Sequence, residues 1–340
     1  MSRVAVVFTG GTISMRRDEG AGGNVPSLDG AAILALTPGI DQIAEVVPVD
    51  RGLTPASHFT FADLFDIAAA IRTQVEDPSI DGVVVVQGTD TIEETAFFWD
   101  LVLDFAKPVV VTGAMRTSSQ PDFDGPANLR DAIRCAASPV LAREGVVVVL
   151  GGSIEPADDV TKTHTASFET FQSLNFGRLG RVEGELVALT RHRGVRRLCL
   201  TERASENVHL ITAGVAMDGT LIDAAVAAGA EGLVVAATGA GNTSVGLLEA
   251  AKRATSAGIP VALTTRSPSG EASRAYAFPG GGQTWVRAGA LLTGHLGGPK
   301  ARVALALGIG AGLDRDGLAC LLMDPVEDTT PVETAPAAPT

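Results

Sequence analysis

Val83-Val84-Val85-Val86-Gln87-Gly88-Thr89-Asp90-Thr91-Ile92-Glu93-Glu94-Thr95 runs from unbroken valine through a glycine, two hydroxyls and a carboxylate into a segment that opens on two glutamates. Four β-branched residues with no polar interruption leave no face for water. The run therefore reads as a strand buried on both sides, the kind found in parallel sheets covered by helices. Similar short runs recur at Val4 to Phe8, Pro108 to Val111, Val146 to Leu150, His209 to Thr212, Gly232 to Ala236 and Pro260 to Thr264. Between them, Ala62 to Gln74, Ile92 to Leu103, Pro126 to Cys135 and Leu247 to Ala257 carry apolar residues at helical spacing. This alternation predicts an α/β protein whose parallel strands are joined by crossover helices.

Composition agrees with that reading. Of the 340 residues 46% are hydrophobic and 19% charged, enough to build one large core or two medium ones without metals or disulfides. The 39 glycines and 18 prolines beside 12 Phe, 2 Trp and 1 Tyr describe many tight turns around a core of small aliphatic residues. A net charge of −13 opposes binding to nucleic acid or to an anionic membrane and favours a small-molecule ligand. Mean hydropathy is high at +0.26, yet no apolar run reaches the roughly 18 residues a membrane helix needs. The N-terminal run is too short for a signal sequence, and Cys135, Cys199 and Cys320 are far apart with no Cys-x-x-Cys. Both features predict a cytoplasmic protein with unpaired thiols.

The rhythm breaks at Leu189 to Glu206, a segment with Arg191, Arg193, Arg196 and Arg197, which reads as a solvated linker. The expected domains are then 1–190, a linker over 191–206 and a smaller domain over 207–324. The residues from 325 to 340 mix Pro, Thr, Ala and Glu without periodicity and are expected to be a disordered tail.

Strand ends are where open α/β sheets hold their ligands. The first turn, Phe8-Thr9-Gly10-Gly11-Thr12-Ile13-Ser14, lacks a Gly-x-Gly-x-x-Gly fingerprint. It is either an ordinary tight turn or a platform for the Thr12 hydroxyl. Thr89 and Asp90 follow the valine run, where Asp90 or Thr91 serves equally well as a helix cap and Glu93 and Glu94 as complements to the helix dipole. Thr112-Gly113-Ala114-Met115 offers small residues that let backbone amides approach a ligand. Lys162, in Asp158-Asp159-Val160-Thr161-Lys162-Thr163, is one of four lysines against 22 arginines, and only lysine can share its proton with a hydroxyl or carboxylate. Thr12, Thr89, Asp90 and Lys162 together form a hydrolytic set. A threonine hydroxyl needs a base to relieve it of its proton, a Lys–Asp pair is one such device, and turn amides steady the oxyanion. Asp90 and Lys162 are expected to be a buried, coupled pair. Neither a metal-ligand motif nor a dinucleotide motif is present, so no cofactor and no metal are expected.

Thr9-Gly10-Gly11-Thr12-Ile13, Gly88-Thr89-Asp90-Thr91 with Glu93-Glu94-Thr95-Ala96, Thr112-Gly113-Ala114-Met115-Arg116, Asp124-Gly125-Pro126 with Asn128-Leu129, Asp159-Val160-Thr161-Lys162-Thr163 and Pro299-Lys300-Ala301-Arg302 resemble, in order and spacing, the motifs of bacterial L-asparaginases and glutaminase-asparaginases. The resemblance covers about residues 3 to 322. It implies a doubly wound, mostly parallel N-terminal domain and a smaller α/β C-terminal domain. It also implies cleavage of the side-chain amide of L-asparagine, with Thr12 as nucleophile on a mobile loop and Thr89 as second threonine. Asp90 would bind the substrate α-amino group, Lys162 would act with Asp90 to activate Thr89 or water, and Ser57 would bind the α-carboxylate. The Ala114 backbone would lie near the leaving amide. The resemblance further implies a homodimer or homotetramer with sites at subunit interfaces, Asn242 being the asparagine supplied by a neighbouring subunit.

The chain departs from the family pattern in three places. Met15 to Leu28 contains no tyrosine, and Tyr276 is the one tyrosine in the chain; Ser57 is followed by His58 and Phe59; and Glu271 and Tyr276 are the candidates for the acidic neighbouring-subunit group. His58 opens the alternative of another small amide as substrate. A non-hydrolytic nucleotide- or ligand-binding protein is the rival reading, resting on the glycine-rich turn Thr238-Gly239-Ala240-Gly241-Asn242.

Overall fold

The structure, a computed structural model, describes residues 1–324; the tail expected to be disordered lies outside the described residues. In chain order the strands are β1 (Arg3–Phe8), β2 (Met15–Asp18), β3 (Gly23–Pro26), β4 (Glu45–Asp50), β5 (Gly82–Val86), β6 (Val109–Thr112), β7 (Val146–Leu150), β8 (Ser153–Pro156), β9 (Val160–Lys162), β10 (Phe171–Ser173), β11 (Gly180–Glu183), β12 (Leu186–Leu189), β13 (Val208–Thr212), β14 (Gly232–Ala237), β15 (Val261–Thr265) and β16 (Leu291–Leu292). The helices are α1 (Gly30–Ala35), α2 (Phe61–Glu76), α3 (Ile92–Val102), α4 (Gly125–Ala136), α5 (Thr220–Ala227), α6 (Val245–Ser256), α7 (Gly282–Arg287), α8 (Gly298–Gly310) and α9 (Arg315–Leu322).

Eight strands form the large sheet in the order β12-β11-β8-β7-β6-β5-β1-β4. From β7 to β4 the pairing is parallel, and β8, β11 and β12 extend the sheet antiparallel. The valine runs alternate strictly between two cores. Ala5, Val7, Val83, Val85, Val109 and Val111 pack with Ile67 and Ile71 of α2 and Phe97 and Trp99 of α3, while Val4, Val6, Val84, Val86 and Val110 pack with Ile33 of α1 and Leu129 and Ile133 of α4. Helices therefore cover both faces, which makes the sheet doubly wound and mostly parallel as expected. The smaller sheet, β13-β14-β15-β16, is parallel throughout. One of its faces meets α6 and Trp285.

Helix α8 carries no polar stripe. Ala301, Val303, Ala304, Leu305, Ala306 and Leu307 are all buried because α8 lies between α3 on one side and β13 and β14 on the other. An all-round apolar helix marks burial within a larger body, and the core of the large sheet continues through α8 into the second unit.

The arginine-rich segment is not a solvated linker. Arg193 holds Asp100 Oδ2 at 2.7 Å and Asp158 Oδ2 at 2.9 Å, and Arg196 Nε reaches Asp100 Oδ1 at 3.1 Å. Arg197 pairs with Asp324. The segment straps α3, the β8–β9 turn and the C-terminal end together. The reading failed because its counter-charges are distant in sequence and Asp100 sits among apolar residues in the second half of α3.

Candidate active site

The parallel strand order places β5 and β4 on opposite sides of β1, so the sheet switches direction between β1 and β5. Ligand crevices form outside the carboxyl ends of strands at such a switch, and the turns carrying Thr12 and Thr89 leave those two strands. Their approach is close. Gly11 has φ +95°, and a Cβ there would lie 2.1 Å from the Gly88 backbone nitrogen, so only glycine lets the two turns touch. On the far side, a Cβ at Gly113 would meet Gln87 O at 2.6 Å and the Thr89 methyl at 3.1 Å. Thr12, Thr89 and Ala114 are thus brought to adjacent strand ends by glycines that allow backbone to pack on backbone.

Thr89 is 4% exposed. Lys162, at the end of β9, donates to Thr89 Oγ1 at 3.0 Å and to Asp90 Oδ1 at 2.7 Å. The expected pair is present, but it is not buried as a unit: the Lys162 side chain is 15% exposed and that of Asp90 74%. Asp90 points outward because it is the second residue of a 3₁₀ turn, Thr89–Thr91, whose first residue faces inward. Ser57 and His58 belong to another 3₁₀ turn, Ala56–His58, and both are exposed. Thr91 Oγ1 donates to Ala56 O at 3.2 Å, which fastens that turn beside Asp90.

A cavity of about 250 Å³ adjoins this junction, lined by Ala56, Phe59, Thr91, Glu94 and Arg302 among others, and by none of the eight candidate residues. Glu94 lines it, and burial, followed by the neighbouring Glu93 charge, pushes its carboxyl above the ordinary range. In the candidate set itself Ser57, His58 and Asp90 are exposed, Thr12 is half-buried, and Thr89, Ala114 and the Lys162 side chain are largely covered. Asn242 stands apart from it, in a turn at the end of β14 closed by Asn242 N to Thr238 O at 2.9 Å and Thr238 Oγ1 to Asn242 O at 2.8 Å. Its side-chain oxygen is buried and has no hydrogen-bond partner among the described residues.

Three supporting residues stand in the quoted motifs but were given no place in the candidate site. Asp124 accepts from the amides of Met115 at 3.0 Å and Arg116 at 2.9 Å, and Asn128 donates to Gly113 O at 3.0 Å and Asp124 Oδ2 at 2.9 Å. Asp124 and Asn128, four apart at the start of α4, thereby fix the loop that contains Ala114. That spacing was the available signal. Glu93 accepts the Lys162 backbone N–H at 3.4 Å, a role beyond complementing the helix dipole.

Glu271, His295 and Asp324 bring three potential metal-ligand atoms within 4.8 Å of one another, a grouping that the sequence motifs did not reveal. His295 Nδ1 already lies 2.6 Å from Asp324 Oδ2, and Arg197 pairs with the other oxygen of that carboxylate. This is an ion-pair knot at the chain's described end. No helix among the described residues is long and apolar enough to cross a membrane.

Residues 3–194 match the family described as Asparaginase, N-terminal, and residues 207–322 match the Glutaminase/Asparaginase C-terminal domain. The chain is 32% identical over 308 residues to a protein from Bacillus licheniformis named L-asparaginase, covering 90% of this chain and 94% of that one. It is 35% identical over 329 residues to a probable L-asparaginase from Deinococcus radiodurans, covering 93% and 95%. A Haemophilus influenzae protein named as a probable periplasmic L-asparaginase is 31% identical over 325 residues, covering 91% and 89%.

Proposed function

Since the chain belongs to the asparaginase family, we propose that the site at the ends of β1 and β5 hydrolyses the side-chain amide of L-asparagine to L-aspartate and ammonia by way of a threonine ester. The chain is an amidohydrolase; the residue roles are the inference. The observation that carries them is the bifurcated contact of Lys162 with Thr89 and Asp90 at the switch point of the sheet.

In this reading the Thr12 oxygen attacks the amide carbon and its proton passes to the departing nitrogen. The C–N bond breaks, ammonia leaves and an ester to Thr12 remains. Water then attacks the ester: its proton passes by way of Thr89 and Lys162, acting with Asp90, to the Thr12 oxygen as the ester C–O bond breaks, and the acid and the free Thr12 hydroxyl are released. Asp90 holds the substrate ammonium and steadies the lysine. An outward-facing carboxylate suits the first task, since a substrate amine can reach it. Ser57 takes the α-carboxylate, with His58 beside it, and amides near Ala114 face the reacting amide. Backbone donors at fixed positions are effective oxyanion stabilisers because they need no reorganisation as charge develops.

The same reading includes a homodimer or homotetramer. The openness of Asp90 and the unpartnered Asn242 oxygen both suit a site completed by a second copy. It keeps the division at 1–190, 191–206 and 207–324, and a cytoplasmic location, in keeping with cysteines that form no disulfide among the described residues. Ammonia release should be measured with L-asparagine, L-glutamine and a panel of small amides. Release from asparagine above the blank supports the reading; release only from another amide would move the substrate while keeping the chemistry.

A further inference from the structure

Lys300, near the start of α8, is 4% exposed, although the helix around it is apolar. Its ammonium crosses from the second unit into the first and donates to the carbonyl oxygen of Val160, the opening residue of β9. Lys162 closes the same three-residue strand. Burial lowers the proton affinity of Lys300, opposed by Glu93, Asp158, Asp159 and Glu94 in that order of strength. Glu93 and Glu94 come from α3 and the two aspartates from the β8–β9 turn. Glu93 acts on both lysines, accepting the Lys162 amide at 3.4 Å while its charge is the strongest of the four on Lys300.

The cavity at this junction, bounded by Glu93, Asp158, Asp159, Asn175, His295 and Lys300, measures about 30 Å³. That is room for a water molecule and too little for a substrate. A buried ammonium is costly and survives where it is paired and hydrogen-bonded. Its hydrogen bond goes to the strand that presents Lys162. We propose that Lys300 is a positioning residue for Lys162: together with Glu93 it fixes both ends of β9, so that the position of the second unit sets where the Lys162 amine stands relative to Thr89. The proposal rests on the role of Lys162 given above.

The test uses full-length Lys300→Met, Lys300→Gln and Lys300→Arg, with Lys162→Met as reference and folding checked by circular dichroism. Ammonia release is followed across pH. A folded Lys300→Met should lose about 10- to 100-fold in kcat, since a misplacement of about 1 Å can cost that much. Its KM should stay within about threefold, and the pH dependence of kcat should be displaced by about half a unit or more, because the Lys162 environment changes. Lys300→Arg, keeping charge and donor, should recover most of the rate. Lys300→Met combined with Lys162→Met should be no slower than Lys162→Met alone. If Lys300→Met does not fold, Lys300→Gln is judged by the same criteria. A folded Met or Gln variant with kcat within about twofold of wild type and an unchanged pH profile overturns the proposal while leaving Lys162 in place. An active Lys162→Met overturns both.

Discussion

The Lys162 ammonium is nearly covered, yet the Asp90 carboxylate it holds at 2.7 Å stands 74% exposed. The two ends of this ion pair live in different environments. Lys162 is fixed by Thr89 and by a strand anchored on the protein, while Asp90 is reachable from outside. An exposed pair of this kind adds little to stability, because water screens it. Its persistence at the switch point of the sheet is therefore better explained by chemistry than by folding.

Removal of either partner should be costly for catalysis and mild for stability. Asp90→Asn and Lys162→Met are each expected to lose most ammonia release, and the double variant should be scarcely slower than the poorer single one, because groups acting as a unit show non-additive losses. The measure is log kcat across the four proteins. Losses that simply add would mean that the two residues act independently.

Thr12→Ala and Thr89→Val should each lower turnover by about 10² to 10⁴ or more with unfolding curves close to wild type. The valine keeps the shape of Thr89 in its 4% exposed site and removes only the oxygen that Lys162 meets at 3.0 Å. Turnover within about twofold of wild type in either variant would end the two-threonine mechanism.

The sheet was legible because its valine runs are so continuous: β1, β5, β6, β7, β13, β14 and β15 all fall within a residue or two of their expected limits. Glu45–Asp50 was missed because it is an edge strand with no buried residue and no strict alternation, and the short strands from Ser153 to Leu189 because three or four residues give no period to read. Helix α8 was invisible as an amphipathic helix because both of its sides are buried. In the site, residue types at strand ends pointed to Thr12, Thr89, Asp90 and Lys162 before any geometry. The exposure of Asp90 could not be read, since consecutive residues of one turn face opposite ways. Asp124, Asn128, Glu93 and Lys300 act on backbone N–H or C=O groups of other segments, and a backbone partner carries no residue type that a sequence could show.

Ammonia release should survive exhaustive chelation. In the one candidate cluster among the described residues, Glu271, His295 and Asp324, the Asp324 carboxylate is already engaged by His295 and Arg197. Activity that vanished with a chelator and returned with a divalent ion would contradict a purely side-chain mechanism.

The strap formed by Arg193 should govern acid stability. Burial alone would raise the Asp158 carboxyl, but the charge and hydrogen bond of Arg193 overcome it and hold that group below its usual value of 3.8. A carboxylate with a depressed folded pKa takes up its proton more readily when unfolded. Its contribution is therefore complete above about pH 4 to 5 and is lost as pH falls through the lower folded value. Asp158→Asn should accordingly be less stable than wild type at pH 7, and the two urea unfolding curves should draw together as pH falls below the usual carboxylate value of 3.8. Asp100→Ala removes the other partner of Arg193, one that is 1% exposed and also serves Arg196. With two guanidinium groups left short of a buried counter-charge, its loss should be the larger, on the order of 3–5 kcal/mol. Equal destabilisation by Asp158→Asn at pH 3 and pH 7 would show that the carboxylate's charge contributes nothing to the strap.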